Sequence, residues 1–375
     1  MQRRKEQIGV GCADITEQEI RYVNEVLKTK RLSYGPFTQK FESGFAKLHG
    51  CKRALMVNSG TSALRIAVAA LKEIHGWKDG DEIICPAVTF VASSNVIIMN
   101  GLEPVFADVS PQTYNLDPAE IEKHITKRTR AIMVVHLFGQ PAEMDPIMKI
   151  ARKYKLKVIE DSCETMFVKY KGKPVGSFGD ISCFSTYVAH FIVTGVGGLA
   201  HDKDLTPKKF QKVVESRFKF LRLGYSFRAT EMESALGLAQ LERKDDIVRR
   251  RKYNAKYFLK KLKKFEKYLQ LPTWPKYSDH AFMMFPIVVK EGVPFKRNEL
   301  IMHLELANIE TRDMVPLINQ PVYIKRYGNL EKNFPVSKWI NHNGFYIGTH
   351  QMIEEKDLEY VVKAFEEFFA KKNIC

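Results

Sequence analysis

Polar and apolar residues recur with helical spacing near the start of the chain. The polar sequence TEQE, beginning at Thr16, is typical of a capping box, and apolar residues return to one helix face from Ile20 to Leu27. A second helix is predicted to begin at Pro36, a favoured first helical position, and to stop at Gly50. We therefore expect two helices before the first strand.

After residue 50, short apolar runs alternate with longer amphipathic segments. The runs ALMV, DEIIC, EPVFADV, AIMVV and KVIED predict buried strands, and the segments between them mostly predict helices. This repeated strand–helix–strand order predicts an α/β fold with a mostly parallel sheet and helices on both faces. Ligands of such sheets bind beyond the carboxyl ends of the strands, so polar residues there are the first candidates for chemistry.

The pattern changes after residue 229. The sequence from Thr230 to Leu262 predicts one long helix, which we expect to bridge toward a second domain. HAFMMFPIVV then predicts a strand, RNELIMHLELANI a helix, and EKDLEYVVKAFEEFFAKK an amphipathic terminal helix. We predict a large domain over residues 1–250, with the N-terminal helices, and a smaller C-terminal α+β domain over residues 251–375.

Length and composition agree with a soluble protein of two domains. A chain of 375 residues exceeds what one hydrophobic core usually supports. Its apolar content of 45% and charged content of 27% are ordinary for globular proteins. The N-terminus has no apolar run of the secretory type, and no segment approaches the roughly 18 apolar residues of a membrane span. We expect a cytoplasmic protein without a membrane partner.

Cysteine spacing and net charge narrow the classes of ligand. The six cysteines are scattered, without a CxxC pair, which argues against a bound metal, an iron–sulfur cluster or a disulfide framework. The formal charge of +16 permits either nucleic-acid binding or a lysine-rich surface that favours anionic small molecules. Because no nucleic-acid-binding motif accompanies the charge, we favour the second interpretation.

Four short sequences place candidate chemistry at strand ends. In NSGTSAL, Gly60 and Thr61 would offer backbone amides and a hydroxyl to a phosphate, although an ordinary helix N-cap has the same pattern. KVIEDSCET ends a strand with Asp161, which would be a charge partner for a ligand or a simple cap. In CFSTYVAH, His190 is a candidate base but could equally pack in the structure. Phe90, in PAVTF, would by itself be a core residue.

The order of such pieces carries more information than any one of them. The chain contains YGPFTQKFESGFAKLHG, NSGTSAL, PAVTF, EPVFADV, VVHLFGQPAEMDPI, VIEDSCET, GSFGDISCFS, TGVGG and LGYSFRATEMESALGLAQLE, nearly end to end. In this order they resemble the DegT/DnrJ/EryC1/StrS sugar aminotransferase family, whose members are pyridoxal-phosphate-dependent enzymes of fold type I. The resemblance implies a nucleotide-linked ketosugar as substrate, glutamate as a possible amino donor, and a homodimer with shared active sites.

The resemblance also implies roles for individual residues. Gly60 and Thr61 would bind the cofactor phosphate with help from the Ser185 hydroxyl. Ser226 stands where the family usually has an asparagine that reaches the phosphate of the neighbouring subunit. In addition, Phe90 would stack on the pyridine ring.

Two carboxylates and four further residues complete the implied site. Asp161 would pair with the pyridinium nitrogen and keep it protonated, so that the ring accepts electrons. Glu164 matches a position near the ring hydroxyl. Plausible contacts to the sugar or diphosphate, each of which could equally be structural, are His136, Tyr187, Arg228 and His350.

His190 occupies the position where the family usually has its Schiff-base lysine. Lys173 and Lys203 lie well outside the loop, so the cofactor, as pyridoxal or pyridoxamine phosphate, would be bound noncovalently. Histidine can still take up a proton, because its unperturbed pKa is about 6.5. A few relatives of the GDP-4-keto-6-deoxymannose 3-dehydratase type have histidine here, and EDSCET and FYIG resemble their flanking sequences. Val196 replaces an acid of the family's GEGG.

Three functions therefore remain open from the sequence. The first is removal of the C3 hydroxyl of a nucleotide-linked 4-keto-6-deoxy sugar, with His190 as the base, in deoxysugar or surface polysaccharide biosynthesis. The second is amino transfer from glutamate to the sugar. The third is a catalytically silent scaffold, which the missing lysine and Val196 would permit.

Overall fold

The computed structural model describes residues 4–202 and 224–373, and its centre is a seven-stranded sheet. Its strands are β1 (Arg53–Val57), β2 (Glu82–Pro86), β3 (Glu103–Ala107), β4 (Thr129–Val135), β5 (Lys157–Asp161), β8 (Ile181–Ser185) and β9 (Gly198–Asp202). The strands β6 (Lys169–Tyr170) and β7 (Lys173–Pro174) form a separate two-stranded sheet. The sheet order is β1-β9-β8-β5-β4-β2-β3. Strands β2, β3, β4, β5 and β8 pair in parallel and β9 is antiparallel to both neighbours, which confirms the predicted, mostly parallel sheet.

The helices that flank this sheet begin largely where capping residues predict. They are α1 (Glu17–Thr29), α2 (Pro36–Leu48), α3 (Gly60–Ile74), α4 (Val91–Met99), α5 (Pro118–Ile121) and α6 (Met144–Tyr154). Thr16 and Glu19 form the predicted capping box of α1, and Pro36 is the first residue of α2. The helix predicted between the strand runs DEIIC and EPVFADV begins only after Phe90, which precedes α4 in extended conformation.

The helix predicted as one segment between residues 230 and 262 is in fact two helices. They are α7 (Glu231–Glu242) and α8 (Lys244–Leu262), separated by Arg243 in a non-helical conformation. The Arg243 guanidinium lies 2.6 Å from the carboxylate of Asp14 and 2.9 Å from that of Glu19. The break therefore occurs where the side chain is held by the N-terminal segment, a tertiary contact that helical periodicity does not predict.

The remaining elements form a smaller α+β layer. Its antiparallel sheet has the order β10-β11-β13-β12, with β10 (Leu269–Gln270), β11 (Met284–Val289), β12 (Thr311–Asp313) and β13 (Gly344–Gly348). Its helices are α9 (Arg297–Leu306), α10 (Pro321–Tyr327), α11 (Pro335–Asn343) and α12 (Glu355–Lys371). The boundary predicted between residues 250 and 251 falls inside α8, and the division into two domains stays a prediction.

Within the described part of the chain, no helix is both long and apolar enough to cross a bilayer. The same residues contain no group of three or more histidine, cysteine, aspartate or glutamate side chains that could hold a metal ion. The feature of the fold that bears on function is the edge of the large sheet where β5 and β8 end. The N-terminus of α3 and the small sheet both approach this edge.

Candidate active site

A cavity of about 530 Å³ lies at the carboxyl ends of the parallel strands. One wall comes from the large sheet and the N-terminus of α3, and the other from residues around β11, β12 and β13. Eight of the residues selected from the sequence line it: Gly60, Thr61, Phe90, Asp161, Glu164, Ser185, Tyr187 and His190. The structure therefore brings together side chains that lie up to 130 positions apart along the chain.

The N-terminus of α3 forms the floor at one end of the cavity. The Ser59 hydroxyl accepts the amide hydrogen of Ser62 at 3.1 Å, so α3 begins at Gly60. The first amides of a helix have no partner within the helix, and they favour anions. Here they belong to Gly60 and Thr61, beside the hydroxyl of buried Ser185. This combination suits a phosphate group.

Gly60 is also required for packing. A Cβ at this position would lie 2.7 Å from Cβ of Ser185 and 2.8 Å from Sγ of Cys163. Both distances are far below van der Waals contact. Glycine therefore lets α3 approach the ends of β5 and β8 closely, in addition to leaving its amide open to a ligand.

Gly60→Ala is expected to destabilise the protein by about 1–3 kcal/mol, because two packed side chains or the helix must move. Urea unfolding measures the difference in free energy. Gly224→Ala is the matched control, since no atom of the described residues lies within 4 Å of a Cβ built there. Equal stability of the Gly60 and Gly224 variants would contradict the packing role.

Asp161 is a buried carboxylate without a cation. Its oxygens accept hydrogen bonds from the Ser93 hydroxyl at 2.7 Å and from the Cys163 amide at 3.2 Å. Burial raises the pKa of Asp161, while the hydrogen bonds from Ser93 and Cys163 oppose that shift. In the described part of the chain no lysine, arginine or histidine forms an ion pair with it. A protonated ring nitrogen from a ligand would supply the missing positive partner.

Glu164 and Phe90 line the cavity together with this carboxylate. A carboxylate oxygen of Glu164 accepts the amide hydrogen of Phe138 at 3.2 Å. Burial, followed by the nearby charge of Asp161, raises the pKa of Glu164 to about 7. Phe90 leaves 57% of its surface exposed, although its type is usually buried. An aromatic face presented to the cavity suits stacking on a flat ring.

His190 lies half-buried in the cavity wall, on the loop after β8. Its Nδ1 is 3.2 Å from the carbonyl oxygen of Ser185. Because a carbonyl only accepts hydrogen bonds, Nδ1 carries the hydrogen and Nε2 carries the lone pair. Burial lowers the pKa of His190 to about 4; the Ser185 carbonyl opposes this and the Arg251 cation adds to it. The imidazole is therefore neutral at neutral pH, the state that can accept a proton.

The expected ligand contacts of His136 and His350 are corrected by the structure. His136 is fully buried, with Nε2 3.1 Å from Glu160 and Nδ1 accepting the amide hydrogen of Ala142 at 3.0 Å. Neither ring nitrogen is left for a sugar. His350 is only 6% exposed and is not part of the cavity lining. Both imidazoles are packed outside the cavity lining. The sequence pattern does not distinguish such a packed histidine from one that lines a cavity.

Three other positions from the sequence lie away from the cavity lining. Ser226 and Arg228 are exposed and bonded to each other, with Nη2 of Arg228 3.2 Å from the Ser226 hydroxyl. Val196 is 53% exposed, and its carbonyl accepts a hydrogen bond from the Thr194 hydroxyl at 2.7 Å. The role expected of Ser226 toward the phosphate of a neighbouring subunit, and that of Arg228 toward a sugar or diphosphate, therefore stay predictions.

The structure adds cavity residues that the sequence did not single out. From the large sheet, Cys163 contributes a thiol that is hydrogen-bonded to Asp161. From the small sheet come Glu310, Arg312 and Tyr346. Ser93, which donates a hydrogen bond to Asp161, is buried on α4 outside the cavity lining, and its position three residues after Phe90 is a local signal that could have revealed it. The residues around β12 have no such local signal.

No lysine of the described residues lines this cavity. Lys173 lies on β7, away from the cavity, and Lys203 is outside the described residues. The loop that contains His190 has no other basic side chain within the cavity wall. Among the described residues, a flat phosphate-bearing cofactor held here would find contacts other than a bond to a lysine.

The mostly parallel sheet, with a helix N-terminus, a buried carboxylate and an aromatic face at its carboxyl edge, has the architecture of the pyridoxal-phosphate-dependent enzymes of fold type I. The chain belongs to the DegT/DnrJ/EryC1/StrS aminotransferase family, whose profile matches residues 13–366. It is 34% identical over 369 residues to a GDP-perosamine synthase of Caulobacter vibrioides, covering 96% of this chain and 98% of that protein.

Relatives with a dehydratase activity are also similar. A GDP-4-keto-6-deoxy-D-mannose 3-dehydratase of Escherichia coli O55:H7 is 30% identical over 373 residues, covering 92% of this chain and 95% of that protein. The solved structure of an E. coli GDP-4-keto-6-deoxy-D-mannose-3-dehydratase with bound hydrated pyridoxal phosphate has a TM-score of 0.85 and 27% identity. It covers 96% of this chain and all of that one. The family resemblance inferred from the motifs is thereby confirmed.

Proposed function

We propose that this protein removes the C3 hydroxyl of a nucleotide-linked 4-keto-6-deoxy sugar, with noncovalently bound pyridoxamine phosphate as the cofactor. The observation that carries the proposal is the neutral imidazole of His190 in the cavity wall, where no lysine of the described residues is present. The relatives named as 3-dehydratases support the same reaction class.

The cavity residues fit the cofactor without a covalent bond. Gly60, Thr61 and Ser185 would hold its phosphate, Phe90 would pack on its ring, and Asp161 would accept the ring N–H. The fit is supported by the carboxylate of Asp161, which is buried and forms no ion pair within the described residues. When bound, the cofactor supplies an amine that condenses with the sugar ketone and a protonated ring that accepts electrons.

The protein's own groups then move the protons. Nε2 of His190 would be the atom that takes up a proton, since Nδ1 already donates to the Ser185 carbonyl. The dianionic phosphate of a cofactor and the diphosphate of a sugar nucleotide would raise the pKa of this imidazole from about 4 toward neutrality. Glu164, whose pKa is about 7, can carry a proton near the ring.

A second candidate, amino transfer to the same sugar, is favoured by the 34% identity to a GDP-perosamine synthase. In both reactions glutamate would restore the cofactor amine. The fate of the nitrogen differs: it leaves as ammonia in the dehydration and stays on the sugar in the amino transfer. In the dehydration the sugar also loses its C3 oxygen as water.

The test is to incubate the protein with pyridoxamine phosphate, ¹⁵N-glutamate and GDP-4-keto-6-deoxymannose, and to analyse the sugar by mass spectrometry. The proposal expects a sugar with one oxygen fewer and labelled ammonia in solution. A sugar that contains ¹⁵N would establish the second candidate instead. Recovery of unchanged sugar, with the cofactor bound, would contradict both.

We further propose a homodimer with shared active sites. The exposed pair Ser226 and Arg228 supports this, because it lies outside the cavity lining of its own chain. The aromatic ring of Tyr225, beside this pair, is 62% exposed and would be covered by a second subunit.

A further inference from the structure

Arg251, on α8, is one of the largest fully buried side chains of the described residues. Its Nη1 donates to the carbonyl oxygen of Met283 at 2.9 Å, and its Nη2 donates to the carbonyl oxygen of His190 at 3.0 Å. The guanidinium carbon lies 5.0 Å from the centre of the Phe191 ring. Its Nε–H has no hydrogen-bond partner within the described residues.

This buried cation has no carboxylate partner in residues 4–202 and 224–373. Burial alone lowers the pKa of Arg251 to about 10, and no acid opposes the shift. The guanidinium still remains charged at neutral pH. Burying such a charge without an ion-pair partner costs several kcal/mol, which an apolar side chain of similar size would avoid. A specific role near the cavity would explain why arginine stands here.

Both carbonyl groups that Arg251 holds belong to residues of the cavity wall. His190 lies on the loop after β8 and Met283 directly precedes β11, so the two are on opposite walls. Arg251 itself does not line the cavity. The rigid guanidinium of Arg251 therefore links the backbone of the candidate base to the backbone beside the small sheet through two hydrogen bonds.

We propose that Arg251 is a positioning residue for His190: it fixes the base against the opposite wall and keeps a permanent positive charge behind it. The inference rests on the proposed function, because His190 is the base in that reaction. The cation disfavours the imidazolium form, so the imidazole stays neutral and ready to accept a proton. The imidazolium formed during the reaction then gives up its proton readily.

Other charged groups also act on this imidazole. Besides His190, the titratable groups of the cavity lining are two acids, a thiol and a phenol from the large sheet and its loops, and one acid, one cation and one phenol from around the small sheet. They are Asp161, Glu164, Cys163 and Tyr187, and Glu310, Arg312 and Tyr346. Behind the wall, His350 also has its pKa lowered to about 4, first by burial and then by Arg251. Arg251 differs from these groups because its guanidinium donates a hydrogen bond to the backbone carbonyl of His190 itself.

Two substitutions separate geometry from charge. Arg251→Met keeps most of the volume but loses the charge and both hydrogen bonds. Arg251→Lys keeps the charge but replaces the fork by a single ammonium group. Arg249→Met is the matched control on the same helix, because the Arg249 side chain is 79% exposed. Thermal unfolding identifies any variant that does not fold.

The first measurement is an NMR titration of His190 in the cofactor-free protein, assigned with His190→Asn. We expect its pKa to rise by about one unit in Arg251→Met and to stay near the wild-type value in Arg251→Lys. Wild-type His190, with a pKa of about 4, would then be neutral at pH 5, where the Met variant has begun to titrate. This readout does not depend on which reaction the enzyme catalyses, so it stands even if the proposed function fails.

The second measurement is steady-state kinetics. We expect kcat to fall by about 10- to 100-fold in both Arg251 variants, with little change in KM, because a displaced base slows the chemical step. The Arg249 variant should match the wild type. Arg251 is not a positioning residue if His190 has the same pKa in the wild type, in Arg251→Met and in Arg251→Lys. The same conclusion follows if both Arg251 variants keep the wild-type kcat. Should the Met variant fail to fold, the kcat of Arg251→Lys decides.

Discussion

Turnover is expected to fall by about a thousandfold or more when His190 is replaced by asparagine, in line with the loss of a general base. The asparagine amide can still donate to the Ser185 carbonyl, as Nδ1 does at 3.2 Å, so the loop should keep its shape. It cannot take up a proton, however. Cofactor affinity, measured by titration with pyridoxamine phosphate and its near-ultraviolet absorbance, should change by less than about threefold, because the phosphate contacts remain.

A second substitution at the same position tests where the side chain points. His190→Lys should place an amine beside the cofactor aldehyde, so that borohydride treatment leaves the cofactor attached through denaturation. Unchanged turnover in the asparagine variant would contradict the assignment of the base. Failure of the lysine variant to retain the cofactor would show that residue 190 does not face it.

The strands of the large sheet and the first two helices could be predicted because their sequence signals are local. Apolar runs of strand length, a capping box at Thr16 and a proline at position 36 are each decided by neighbouring residues. The break at Arg243 could not be predicted in this way, because the residues that hold it, Asp14 and Glu19, are more than 220 positions away. Strand β12 could not be predicted either, because its three residues are too few to show a strand pattern.

In the candidate site, too, some features could be predicted from the sequence and others could not. Glu160 and Asp161 are adjacent on β5, and alternation along a strand sends their side chains to opposite faces. Asp161 reaches the cavity, whereas Glu160 accepts hydrogen bonds from the amides of Gly176, Phe178 and Gly179 and contacts His136. Both belong to the motif, and only packing decides which one meets a ligand.

The opposite wall of the cavity brings together residues that are far apart in the sequence. Glu310 accepts the amide hydrogen of Val10 at 2.8 Å, across 300 positions of sequence, and both residues line the cavity. Gly11 approaches Ala189 so closely that a Cβ would lie 2.5 Å from its Cα. The sequence motifs identified cavity residues that we expect around a cofactor ring and phosphate. The residues that close the cavity over them required the structure.

Asp161→Asn is expected to lower turnover by about 100- to 1,000-fold, as removal of one preorganised electrostatic group does elsewhere. A neutral amide cannot keep the ring nitrogen of a cofactor protonated, so cofactor affinity should fall as well. The amide oxygen can still accept the hydrogen bond from Ser93, which is 2.7 Å long in the native protein. Turnover and equilibrium titration with pyridoxamine phosphate measure the two losses.

The stability of the cofactor-free protein should change in the opposite direction. Burial raises the pKa of Asp161 in the folded state, so the wild type loses stability as the pH rises above the ordinary value of a carboxyl group. Asparagine removes that loss, and the thermal midpoint at pH 7 should equal or exceed that of the wild type. Asp180→Asn is the matched control: Asp180 is 2.9 Å from Nζ of Lys157 and accepts the Val158 amide hydrogen, so its loss should destabilise without affecting the cofactor. A less stable Asp161 variant with normal cofactor affinity would show that this carboxylate serves the fold and not a ligand.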